Sequence, residues 1–423
     1  VKRFLEVSAP SGLLRTFAFG HLAKSLIWSF SDLLLGYFAH VRMGLPARET
    51  GWIIFVSLCY SGILDVLAAG LLSAFPGHEE RVPRLQLVGA AFTAFAAILL
   101  FSPVAVPQGL LFYWLLGASL LFRTGYGLYD LSQNALVSLL PRDEGEAQVY
   151  VTVRTTLSYA AKVMVALSSF AVIDPEGQTG AALFTILPIA IMTLAAAYPM
   201  AGHRIVNSNG HAASAGSPPP IGLLWPILAA VAAQICLLGL IGRFLPFAKD
   251  PRTGASIGAL LVLASVIGGM LGPVLAGRAI RAAGFTLTNI AFTAVCVGSA
   301  LVILTGGGST QLILAAAIFS VGGGAISVLV WNELSAVVRA HAAWSGRRAD
   351  LASFALLTAT IKLGAGGTGL FLGNLLDGYE ARSSDALAAI GGATIAGGLL
   401  SVLAMAFGRA RLSRGAARNA MAA

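Results

Sequence analysis

Stretches of roughly 20 consecutive apolar residues, the length a helix needs to cross the hydrocarbon core of a bilayer, recur twelve times along this chain. They fall near 13–40, 50–76, 85–103, 109–140, 149–173, 179–199, 222–244, 254–276, 284–305, 311–337, 350–375 and 384–407. A soluble domain carries roughly a quarter charged residues. Here 11% are charged and 57% hydrophobic, and the mean hydropathy is +0.83. No water-soluble fold of 423 residues can hide that much apolar surface, so lipid must be the solvent for most of the chain. Val1–Arg15 is polar and basic, and the apolar stretch behind it continues as a full span, which argues against a signal peptide. Cys59, Cys236 and Cys296 all lie inside apolar stretches, too scattered for a disulfide framework or a metal site.

Between the sixth and seventh spans lies a polar segment rich in turn formers, with Asn-Ser-Asn-Gly and Ser-Pro-Pro-Pro runs. It divides the chain into an N-terminal six-helix bundle at 1–200, a cytoplasmic linker at 201–221, a C-terminal bundle at 222–408 and a cytoplasmic tail at 409–423. Two halves of six helices are the pattern of an all-α membrane protein with the major facilitator fold, its halves related by pseudo-symmetry. An ATP-driven exporter half would need a nucleotide-binding domain, and no G-x-x-x-x-G-K-[ST] run occurs. The net charge of +9 distributes by side: sixteen Lys and Arg fall in one set of loops and termini and six in the other. The positive-inside rule therefore puts both termini in the cytoplasm and explains the basic balance without nucleic acid.

Nine ionisable residues fall inside the spans: Lys24, Arg123, Arg154, Lys162, Lys362, Asp32, Asp65, Asp130, and Glu333 near the end of the tenth. A charge near the bilayer centre costs at least a few kcal/mol unless it faces water or a partner. Five of the nine sit in the first, second and fourth spans, which favours one polar cavity over scattered defects. Tyr126 with Asp130, and Thr358 with Lys362, are i,i+4 pairs, each presenting two polar groups from one helix face.

Two segments resemble the glycoside–pentoside–hexuronide:cation symporter family. The first runs from Tyr126-Gly-Leu-Tyr-Asp130 through Asn-Ala-Leu-Val-Ser-Leu-Leu-Pro-Arg to Arg154. The second is Gly346-Arg-Arg-Ala-Asp-Leu-Ala-Ser-Phe-Ala-Leu-Leu-Thr-Ala-Thr-Ile-Lys362-Leu-Gly, followed by Gly378-Tyr379. Ser61-Gly-Ile-Leu-Asp65 is a weaker match to the stretch where that family carries two aspartates. The resemblance implies that Asp65 belongs to the coupling-cation site, with Ser61 in place of the other aspartate and Lys362 beside it. It implies that Tyr126, Asp130, Asn134, Arg154, Thr358 and Lys24 contact the solute. A carboxylate and a guanidinium suit vicinal hydroxyls, which they bind through charge-assisted hydrogen bonds.

The departures bear on the ion. Ser61, Leu64 and Gly127 replace side-chain oxygens of the family, which leaves Asp65 with little support for sodium. A lone carboxylate in low dielectric binds a proton instead, so coupling to H+ rather than Na+ is the expectation. Asn134 replaces a tryptophan and Ser25 an aspartate, so an aromatic platform for a sugar ring must come from elsewhere, with Trp28 and Trp331 as candidates. Gly70 to Arg84 is a degenerate form of the superfamily's loop motif, and Gly272 to Arg281 a better preserved copy.

The sequence thus points to a secondary active transporter, not an enzyme, that carries a small polar solute such as a sugar by cation-coupled symport and alternating access. It needs no cofactor beyond the coupling ion, and its partners are the solute and the lipid bilayer. The expected location is a bacterial inner membrane, as a monomer. The alternative on the same fold is a proton-driven exporter or a carrier of amphipathic or lipid-like solutes. A membrane-embedded enzyme or receptor has no nucleophile–base pair, metal triad or sensing domain to support it.

Overall fold

The computed structural model of the chain describes residues 11–74, 81–102, 106–141, 144–173, 180–203, 221–250, 253–345 and 350–422. Most of the 201–221 linker, the Gly346-Arg-Arg-Ala start of the second family-like segment and much of the 70–84 loop motif lie outside them. The described elements are α1 (Ser11–Tyr37), α2 (Ala47–Ala74), α3 (Val82–Phe101), α4 (Gln108–Leu139), α5 (Glu144–Ile173) and α6 (Ala181–Ala201). Then follow α7 (Ile221–Phe244), α8 (Gly258–Thr305), α9 (Ser309–Ser345), α10 (Asp350–Glu380) and α11 (Ser384–Ala422).

The eleven helices make twelve traverses because α8 folds back on itself at Gly284, whose φ of 78° and ψ of 167° break the helix. Its 48 residues measure about 72 Å at 1.5 Å each, more than twice a hydrocarbon core of about 30 Å. Spans eight and nine of the sequence are therefore the two arms of α8, joined without a loop. A left-handed backbone suits glycine and strains an L side chain. The tenth, eleventh and twelfth spans are α9, α10 and α11.

Among the described residues nine helices are long and apolar enough to cross a membrane. The other two, α1 and α4, are also long enough, and they are the helices that carry Lys24, Asp32, Arg123 and Asp130. Their polarity is a property of the site they build.

The helices group into two compact units, one of residues 1–45 and 67–212 and one of 46–66 and 213–423. In the first unit, α3 and α4 approach closely enough that a methyl added at Gly125 would sit 2.6 Å from the Thr93 nitrogen. A buried polar knot fixes α1 against them. Tyr129 Oη donates to the Gly20 carbonyl at 2.9 Å, Gln133 Nε2 donates to that of Phe17 at 3.1 Å, and Gln86 Nε2 donates to Gln133 Oε1. These bonds matter in lipid, where an unsatisfied polar group has no water to turn to. At the far end, Tyr37 Oη donates to the Ile173 carbonyl at 2.7 Å and Arg42 Nη2 to that of Val172 at 2.9 Å, tying the end of α1 to that of α5.

In the second unit, the 47–66 part of α2 packs on α10 along a glycine seam. Methyls at Gly51, Gly62 and Gly366 would lie 2.9 Å from the Gly369 oxygen, 3.2 Å from the Ala359 oxygen and 3.1 Å from the Phe55 oxygen. Small residues let backbones meet in this way in membranes. Residues of α7, α9 and α10, with Phe285 and Met405, form the apolar core of this unit.

Candidate functional site

In the first unit, three polar stripes converge. On α1, His21, Ser25, Trp28 and Asp32 recur at helical spacing, with Lys24 beside them. On α4 the stripe is Arg123, Tyr126, Asp130 and Asn134, and on α5 it is Arg154, Ser158 and Lys162. Lys24 Nζ lies 2.6 Å from Asp130 Oδ1 and 3.2 Å from Asn134 Oδ1, and the lysine is buried. Tyr126 Oη reaches the same Asp130 oxygen at 3.5 Å. The carboxylate thus holds an ammonium and a phenol, the arrangement that a buried charge needs to offset its desolvation.

Trp28 supplies the aromatic ring near this pair. Its ring centroid is 4.7 Å from that of Tyr126, and the Arg123 guanidinium carbon lies 4.7 Å from the indole centroid. Cation–π attraction favours such a contact in a desolvated setting, and Arg123 is only 2% exposed. His21 Nε2 pairs with Ser158 Oγ at 2.9 Å, and Ser25 Oγ lies 3.4 Å from the same hydroxyl. Arg154 is half-buried on α5, one turn from Ser158, within electrostatic reach of His21. The Asp32 carboxylate is in electrostatic reach of Lys162.

In the second unit, Lys362 Nζ on α10 lies 2.7 Å from each carboxylate oxygen of Asp65 on α2, with side chains 7% and 13% exposed. The Asp65 carboxylate, short of the neighbouring oxygens that sodium would want, is ion-paired. Ser61, one turn earlier on α2, is fully buried, and its hydroxyl has no hydrogen-bond partner among the described residues. Thr358, one turn before Lys362, spends its hydroxyl on the Ala355 carbonyl of its own helix at 3.0 Å.

Of the sequence-derived residues, the structure brings Lys24, Tyr126, Asp130 and Asn134 together, and Asp65 with Lys362. It does not bring Arg154 onto Asp130 or Ser61 into a bond with Asp65. Sequence reasoning missed the Trp28–Arg123 contact and the pair of Glu333 with Arg409, whose Nε lies 3.3 Å from Glu333 Oε2. The guanidinium of Arg409 also covers Phe285 at 4.0 Å. Only a Glu near one span's end and an Arg at another's signalled that pair. An open groove of about 660 Å³ between an arm of α8 and α9 is lined by Val295, Val302, Leu314 and Ile318. It carries no ionisable group and is a furrow of the lipid-facing surface type, remote in chemistry from both ion pairs.

Twelve membrane traverses in two units, with paired charges inside the spans, define a multi-pass transporter of the major facilitator type. Residues 16–407 match the family model described as MFS/sugar transport protein, and the chain belongs to that family. No curated protein sequence matches it. Among solved structures, a POT family transporter in complex with a thioalcohol-conjugated peptide has a TM-score of 0.70 at 11% identity, covering 96% of this chain and 98% of its own. A bacterial homologue of the iron transporter ferroportin, in an inward-facing state, has a TM-score of 0.63 at 14% identity, covering 93% and 100%. The nucleoside transporter NupG has 0.64 at 14%, covering 94% and 99%. At such identities the likeness is one of fold, and that fold is a carrier's.

Proposed function

We propose that this protein is a cation-coupled symporter of a small polar solute, with a sugar-like cargo and the proton as coupling ion, working by alternating access. One observation carries the reading: Asp65 and Lys362 form an ion pair in a low-dielectric setting, on helices that cross the membrane. A proton arriving at Asp65 removes half of that pair, so protonation and the α2–α10 contact are energetically linked. Ser61 offers only one neutral oxygen nearby, fewer ligands than sodium prefers. Lys24, Tyr126, Asp130, Asn134 and Arg154, all of the first unit, form the solute side. The loop charge census supports a bacterial inner-membrane orientation with both termini cytoplasmic, and nothing in the reading requires more than a monomer.

The test is uptake of radiolabelled sugars by proteoliposomes under a pH gradient or a sodium gradient imposed separately. Accumulation driven by the pH gradient and collapsed by a protonophore is the expected result. Sodium-driven accumulation at fixed pH refutes the proton, and solute movement indifferent to both gradients refutes coupling.

A further inference from the structure

Arg382, just past α10, sits on a backbone that disfavours a side chain. Its φ is 53°, in the left-handed region. Its N–H donates to the Tyr379 carbonyl at 3.0 Å and that of Ser383 to the Gly378 carbonyl at 2.7 Å. Those two bonds close a helix end whose left-handed residue is usually glycine, because a β-carbon is crowded there. The arginine side chain is fixed across the loop. Its Nη2 donates to the Leu304 carbonyl at 3.0 Å, capping α8 at the end away from Gly284, and a methyl at Gly306 would collide with the guanidinium. A guanidinium has five N–H donors, and that carbonyl uses one. Arg382 is exposed and makes no ion pair among the described residues. The neighbouring Glu380 is held by Lys249 at 3.6 Å, and Asp385 lies 3.5 Å from the Ser384 hydroxyl.

Two apolar grooves end near this guanidinium, one on each side of the second arm of α8 (285–305). The groove of about 660 Å³ described above runs between that arm and α9. Another, of about 340 Å³, runs between the arm and α11. Leu304 and Thr305 border the second groove at its Arg382 end. Thr310 and Gln311 close the first, with the Gln311 side chain folded over Gly307. Along α8 the first extends from Val302 to Ala294, and along α11 the second extends from Leu387 to Ile395, about 12 Å each. One leaflet of the hydrocarbon core is about 15 Å deep, so each groove follows most of a leaflet inward from its edge. A methyl at Gly298 in the first groove or Gly392 in the second would meet nothing within 4 Å, so both have open floors.

We propose that Arg382 and the two grooves bind one diacyl phospholipid, which straddles the second arm of α8 with its phosphodiester on the guanidinium and one acyl chain in each groove. Bulk lipid tails enter any furrow. A guanidinium held in place by its helix cap, with donors to spare and a fork that matches phosphate oxygens, selects one molecule. Two grooves meeting at one cation fit two chains on one phosphate better than the single chain of a fatty acid. On the orientation that the loop charges support, the lipid belongs to the outer leaflet. The site is independent of the solute and of the coupling ion.

The full-length protein, purified in detergent and stripped of lipid, is titrated with dioleoylphosphatidylglycerol while native mass spectrometry counts the bound molecules. One lipid should bind the parent at least about tenfold more tightly than it binds Arg382→Gln, as loss of a charge-assisted hydrogen bond implies. Gly298→Leu and Gly392→Leu, whose side chains grow into the grooves, should each weaken the same lipid. Lysophosphatidylglycerol, with one chain, should bind the parent less tightly than the two-chain lipid. Arg382→Gly separates folding from binding. It relieves the left-handed backbone, so it should unfold at a higher temperature than Arg382→Gln while holding lipid no better. Equal binding by the parent and Arg382→Gln, binding unmoved by either glycine replacement, or a one-chain lipid that binds as well as the two-chain one each overturn the proposal. Displacement of the lipid by free glycerol 3-phosphate overturns it as well, in favour of a soluble phosphate.

Discussion

Replacing Asp65 by Asn keeps the shape of the side chain and removes its charge, leaving the Lys362 ammonium 7% exposed without its carboxylate. At an effective dielectric constant of about 20, a 2.7 Å contact corresponds to about 6 kcal/mol of attraction. Desolvation of both charges offsets most of that in the intact pair, whereas removing one partner exposes the penalty on the other, about 3–5 kcal/mol. Asp65→Asn should therefore lower the thermal unfolding midpoint of the detergent-purified protein markedly. Lys362→Met on the same background should restore most of it, because the double variant buries no charge. The coupling free energy from the four-variant cycle, read with a dye that reports buried cysteines, should be several times that of an exposed pair, which is roughly 0–1 kcal/mol. In transport, Asp65→Asn should lose accumulation against a gradient while exchange of labelled for unlabelled solute persists. A single variant as stable as the parent, or a double variant no better than the single, would show that the pair is not buried in the way described. Full active accumulation by Asp65→Asn would remove the residue from the coupling site.

Asp130→Asn strands the buried Lys24, with Asn134 Oδ1 at 3.2 Å as a remaining acceptor; a loss of about 3–5 kcal/mol is expected, smaller in Lys24→Met/Asp130→Asn, by the same thermal assay. Gly125→Ala places a methyl 2.6 Å from the Thr93 nitrogen and should cost about 1–3 kcal/mol, while Gly127→Ala, with nothing within 4 Å, should be neutral or slightly stabilising. Equal midpoints for the two glycine variants would contradict the α3–α4 packing. Ser61→Asp puts a second carboxylate one turn from Asp65, and should make solute uptake responsive to sodium at fixed pH. An unchanged ion dependence would argue that ligand number is not what selects the ion.

The traverses were legible because lipid imposes a length and a composition on every segment that crosses it. The structure starts each helix within about five residues of the windows read from hydropathy, and the α8 reversal at Gly284 falls at the start of the ninth window, but α9 and α11 run on past theirs to Ser345 and Ala422. The interior charges were equally legible, since each stands out against apolar neighbours. Their partners were not. Helical periodicity tells which residues share a face, but Lys24 and Asp130 are 106 residues apart and Asp65 and Lys362 are 297 apart. Only tertiary packing decides which faces meet. Family resemblance set Lys362 beside Asp65, whereas Arg123, outside any such pattern, lies over Trp28 by virtue of ring geometry that no spacing encodes. The tryptophan missing at Asn134 has an aromatic counterpart on a different helix, and a shift of that kind is invisible to position-by-position reading.

The glycine seam between α2 and α10 has a mechanical consequence. Contacts of backbone on backbone are cohesive only by dispersion, and a gap of 0.5–1 Å already forfeits about a quarter to a half of it. Apart from a few side chains such as Ile54 against Gly369, the seam is backbone on backbone, so it resists small displacements stiffly and then lets go. The Asp65–Lys362 attraction falls off far more slowly with distance, as the reciprocal of separation. Past the first ångström of parting, the charge pair alone still pulls the two helices together. Neutralising it turns a spring-loaded contact into one that snaps open.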